Sequence, residues 1–118
     1  MKKSILTVAM VIAGLAAQAQ VVVDGVDITT SDAKYVELLG VTKLLNPQEV
    51  SVIVDYGQDV KWNSRAQTIK GADGKNMSFE SMVDALNFFD ANGYDYVSRE
   101  TITIGQQNVY HFLLKRRD

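Results

Sequence analysis

Hydrophobic and polar residues alternate most regularly across Glu49–Tyr56, where Val50, Val52, Val54 and Tyr56 share one side and Ser51 and Asp55 the other. A period of two marks a β-strand with one buried face. Lys34–Thr42 (KYVELLGVT) reads as a second strand, rich in aromatic and branched side chains. Tyr35, Glu37, Leu39 and Val41 fall on one of its faces, Val36 and Leu38 on the other, and Gly40 marks a bulge or a close backbone approach. Asn46-Pro47 breaks the chain between these runs, so they pair as an antiparallel hairpin.

From Ser78 the period lengthens. Phe79, Met82, Val83, Leu86 and Phe89 recur at helical spacing, which predicts an amphipathic helix with Ser78 as its N-cap and Glu80 near its positive end. Asn92-Gly93 stops it, with Gly93 supplying the left-handed residue past the end. Tyr94–Ile104 and Val109–Arg116 then read as strands joined by Gly105–Asn108. In the last strand Tyr110, Phe112 and Leu114 share one face, and Val109, His111 and Leu113 the other. The order β-β-α-β-β predicts an α+β fold of two layers: one principal helix packed on an antiparallel sheet of about four strands.

The remaining stretches are less regular. Gln20–Ala33 is expected to be an N-terminal arm or linker ahead of a single domain over 34–118. Val21–Val23 and Val26–Ile28 flank Asp24-Gly25, a type I′ turn pair, so a small hairpin and a docking strand both stay open. Gly57–Met77 is polar and long for a connection; it contains a turn at Ala72–Lys75 and a short strand within Gln67–Lys70. Loops of this kind carry function more often than the elements they join.

The first residues, MKKSILTVAMVIAGLAAQAQ, change the setting. Lys2 and Lys3 precede an apolar run from Ile5 to Ala17, shorter than the ~20 residues a spanning helix needs. Ala17-Gln18-Ala19 is a small-x-small cleavage site. The expectation is a signal peptide over 1–19, cleavage between Ala19 and Gln20, and an exported protein, periplasmic or secreted, with no integral membrane segment afterwards. The chain has no cysteine, which excludes disulfides, thiolate metal sites and lipid attachment at a cysteine. Loss of Lys2 and Lys3 makes the mature chain more acidic than the full chain's formal −2, which argues against nucleic acid as partner. Lys115-Arg116-Arg117 reads as a solubilising end to the last strand.

No run of residues announces catalysis. His111, the one histidine, lies in an apolar strand without a sequence-local nucleophile or orienting carboxylate. Asp90–Glu100 superficially resembles a calcium loop, but Asp95 occupies the place that needs glycine. Carboxylate pairs such as Asp55 with Asp59 have the residue types of glycoside hydrolysis without an implied cleft. Trp62, the one tryptophan, sits between Lys61 and Arg65 in the irregular stretch, where it either caps the core or stacks on a ligand. Trp62, Arg65, Asp55 and His111 therefore form the candidate binding surface. No cofactor or metal is expected. The reading is a non-enzymatic envelope module with a protein partner or a second copy of itself; the rival is a small-molecule binder, such as a glycan binder, or a small hydrolase, with its site near the 57–77 loop.

The runs MVDALNFFDANGYDYVS and NVYHFLLKR, with YVELLGVTKLLN and VSVIVDYGQ upstream, resemble small exported bacterial domains of unknown function. These share a Leu/Asn-rich helix, a Gly-aromatic step and a closing strand ending in Lys/Arg. The resemblance spans Lys34–Arg117, with Tyr94 where such domains usually have tryptophan. It implies a helix packed on an antiparallel sheet, and no activity.

Overall fold

A computed structural model describes residues 19–42, 50–58, 67–105 and 107–117. The elements are β1 (Val22–Val23), β2 (Val26–Asp27), β3 (Tyr35–Thr42), β4 (Val50–Asp55), β5 (Ile69–Lys70), the helix α1 (Met82–Ala91), β6 (Tyr94–Ile104) and β7 (Gln107–Arg116). β3, β4, β6 and β7 form a four-stranded sheet in the order β4-β3-β7-β6, and β1, β2 and β5 a three-stranded one in the order β2-β1-β5. All strand pairs are antiparallel. The fold is α+β as expected, but the single sheet under a principal helix is corrected. Among the described residues two sheets, with seven strands between them, dominate, and the helix α1 has 10 residues.

The period-two pattern places the core. Leu38 stands opposite Val54 on one side and Phe112 on the other, and Val36 opposite Leu114. All five are buried, and together with Val52 they form the face that α1 covers. Gly40 shows what its sequence position hinted at: a Cβ there would lie 2.1 Å from Met82 Sδ, so the absent side chain admits the first turn of the helix.

The helix begins later than its hydrophobic spacing suggests. Ser81, not Ser78, is the N-cap: its Oγ accepts from Asp84 N at 3.0 Å, while Asp84 Oδ2 accepts from Glu80 N at 3.1 Å. This reciprocal arrangement satisfies two free donors at the helix start. Phe79 is held in extended chain instead, bridging to Val50, whose N–H donates to the Phe79 carbonyl. Met82, Ala85 and Phe89 form the buried stripe, whereas Val83 is 64 % exposed. At the other end the Gly93 N–H donates to the Asp90 carbonyl, with Gly93 at φ +95°.

Asp24 and Gly25 both adopt positive φ, as a type I′ turn requires, and join β1 to β2. β1 then pairs with β5, Val23 opposite Ile69. Val21, Val23 and Ile28 have no exposed surface and belong to the same core cluster as Phe89 and Tyr94. Residues 21–28 are thus a packed layer of the structure.

Candidate functional site

The face of the four-stranded sheet opposite α1 carries the odd-numbered residues of β3. Asp55 stands opposite Glu37 on the β4 side and Leu113 opposite Glu37 on the β7 side. One row along, His111 stands between Leu39 and Glu100, and Ser98 is opposite Leu113. Two candidate residues, Asp55 and His111, therefore share a face, with the β3 strand between them. Trp62 and Arg65 lie outside the described residues.

His111 is the most constrained group on this face. Its side chain is 15 % exposed, and Nδ1 lies 3.0 Å from Glu37 Oε1. A carboxylate only accepts, so Nδ1 carries the hydrogen and donates. Nε2 is buried without a hydrogen-bond partner among the described residues. An orphaned buried group of this kind costs about 1–3 kcal/mol. The base–carboxylate half of a catalytic arrangement is present, but among the described residues no hydroxyl donates to Nε2, and Ser98 one row away does not reach it.

An open depression of about 310 Å³ adjoins the imidazole, lined by Glu37, Ser98, Arg99, Glu100, His111 and Leu113. Asp55 is not part of it; its Oδ1 accepts from the Gly57 N–H at 3.0 Å, which fixes the turn after β4. Among the described residues no three His, Asp or Glu side chains gather to hold a metal ion. Glu37 was visible in the sequence only as a polar position on a strand face. The contact that gives it a role joins residues 74 positions apart, which no local pattern reports.

The two edges of the large sheet are treated differently. At β4, the Gln67 amide imitates a neighbouring strand: Oε1 accepts from Val54 N at 2.6 Å and Nε2 donates to Val54 O at 3.0 Å. Gln58 Nε2 donates to the same carbonyl, and Phe79 bridges Val50 further along. β6 forms the opposite edge, with no strand on its outer side among the described residues. Tyr96, Val97 and Ile102 are 56 %, 46 % and 40 % exposed there. A register shift between Tyr96 and Ser98 divides this edge, leaving Ser98–Ile104 as its longer regular stretch.

The basic ending is largely internal in its contacts. Arg116 Nη1 donates to the carbonyls of Ile28, Thr29 and Ser31, at 3.4, 3.1 and 2.7 Å. Arg117 donates to the Asp90 and Tyr94 carbonyls at 2.6 and 2.9 Å and pairs with the carboxylates of Asp95 and Asp90. Hydrogen bonding to Asp95 first, then Asp90, raises its pKa still further above neutrality. Lys115 lies over the Tyr35 ring, 5.7 Å from its centroid.

No known protein family, curated protein or solved structure matches this chain. No helix among the described residues is long and apolar enough to cross a membrane.

Proposed function

We propose that this is an exported, non-enzymatic interaction module of the bacterial envelope. More particularly, its contact surface is the β6 edge, which accepts a strand from a protein partner or from a second copy. The unequal treatment of the two sheet edges carries the reading. β4 is sealed by Gln67 and Phe79, while β6 leaves backbone groups and apolar side chains facing outward. Strand addition uses such an edge, with main-chain hydrogen bonds for affinity and alternate side chains for specificity. Export is supported by the Lys2-Lys3, apolar and small-x-small pattern, and by a body that packs from Val21 onward.

Copurification from the native envelope tests this reading. Wild type should return with a stoichiometric partner or as an oligomer, and Val97→Lys with Ile102→Lys should return alone at an unchanged melting temperature. A wild-type protein that returns only as a monomer contradicts the proposal, as does a double variant that keeps its partner.

The depression beside His111 favours a second reading, a binder of small polar molecules. Sugars, metal ions and cell-wall fragments screened against the protein should then raise its melting temperature, because a ligand that prefers the folded state stabilises it. Loss of that rise in Glu37→Gln would place the ligand in the depression.

A further inference from the structure

We propose that the β4 edge holds a binding site for a small molecule bearing a primary carboxamide, in the slot between Gln67 and Phe79 where the backbone N–H and C=O of Val52 face outward. The site is separate from the β6 edge and from the depression beside His111.

The direction of the Val52 groups follows from its neighbours. Along an antiparallel strand, successive residues turn their N–H and C=O alternately toward one side and the other. Val54 directs both groups outward, to Gln67, and Val50 donates outward, to the Phe79 carbonyl. Val52, two residues from each, turns its pair the same way. β3 agrees with this. Arg116 N donates to the Lys34 carbonyl at 2.7 Å, so the even-numbered residues of β3 direct their groups to β7. Gly40, which stands opposite Val52, therefore offers β4 neither donor nor acceptor. Among the described residues no hydrogen bond reaches the Val52 N–H or C=O.

Val52 is 6 % exposed and lines an open slot of about 80 Å³. Val50, Ile69 and Met77 give the slot apolar walls. Buried backbone donors and acceptors are nearly always paired in folded proteins, so this pair calls for an occupant. The slot exceeds the ~10–15 Å³ that one water needs. Gln67 on Val54 and Phe79 on Val50 close it at both ends, which excludes an extended strand.

The chain itself shows what fits. At Val54 the Gln67 amide takes the equivalent pair of groups, because a primary carboxamide carries a C=O and an N–H on the same side. A trans secondary amide points them to opposite sides and meets only one of the two. A carboxylate has no hydrogen for the Val52 carbonyl, and an ammonium has no acceptor for the Val52 N–H.

Amide NMR of the full chain, titrated with acetamide, tests the site. The Val52 resonance should move saturably with acetamide and stay in place with N-methylacetamide or acetate at the same concentrations. Ser78→Phe, at an exposed position lining the slot, should abolish the movement. Equal movement with all three compounds overturns the proposal, as does a folded Ser78→Phe that responds like wild type. A Val52 resonance that acetamide leaves unmoved overturns it too, the slot then holding water alone. The comparison of the three compounds in wild type decides the matter even if the variant does not fold.

Discussion

Tyr94 joins three parts of the molecule. Its ring meets Phe89 edge-on at 5.6 Å, its hydroxyl lies 3.4 Å from the Ile28 carbonyl, and its own carbonyl accepts from Arg117. Burial raises its pKa above the ordinary 10.0, with Arg116 opposing and Asp27 adding to the rise. Above that value an unfolded chain releases the phenol proton while the folded one still holds it, so the folded state binds more protons and stability falls with rising pH. The expected outcome is an alkaline loss of unfolding free energy that is full-strength in wild type and flatter in Tyr94→Phe, read from urea melts across that range. Arg116 is the second residue of this joint. Arg116→Ala leaves the Ile28, Thr29 and Ser31 carbonyls without their shared donor and should lower stability by about 1–3 kcal/mol. A change too small to measure in the same urea experiment would show that water replaces the guanidinium there.

At the scale of elements, the start of α1 discriminates between two serines. Ser81→Ala removes the acceptor for the Asp84 N–H and should cost about 1 kcal/mol, while Ser78→Ala should be nearly neutral in a thermal melt. The misreading of Ser78 has a definite cause. Phe79 fits the apolar stripe by spacing, but its backbone is taken by the bridge to Val50, so the helix cannot begin until the chain has turned away. Strands β3, β4 and β7 were legible because each buries one face and alternates accordingly, whereas β6, exposed beyond Tyr94, was legible from its aromatic and β-branched residues. The turn at Asp24-Gly25 was legible for a local reason as well, since both residues tolerate positive φ. What could not be read was pairing over long separations: β1 with β5, Gln67 with the Val54 backbone, Arg116 with the turn after Ile28, and Glu37 with His111. In each case a polar or short segment finds its role only once the core has brought a distant partner near. The same holds for the candidate surface, of which Asp55 and His111 share a sheet face without converging.

At the scale of the molecule, the described residues form a sheet that a short helix and a small sheet cover on a single face, with Arg116 and Arg117 fastening the ending to both. That arrangement makes Val21, Val23 and Ile28 part of the core and leaves the β6 edge, among the described residues, as the long unpaired border. The bulge and the charges of Arg99 and Glu100 limit indiscriminate pairing along it, which suits a contact selective for its partner. Amide hydrogen exchange along this strand, in the isolated protein and in the species recovered from the envelope, tests the central claim most directly. Outward amides of Ser98–Ile104 should exchange readily in isolation and slow by tenfold or more on association, about 1.4 kcal/mol of added protection, while those of β4 stay unchanged. Equal exchange of the β6 amides in both samples, or protection confined to the strands around His111, would contradict the assignment of this edge as the contact surface.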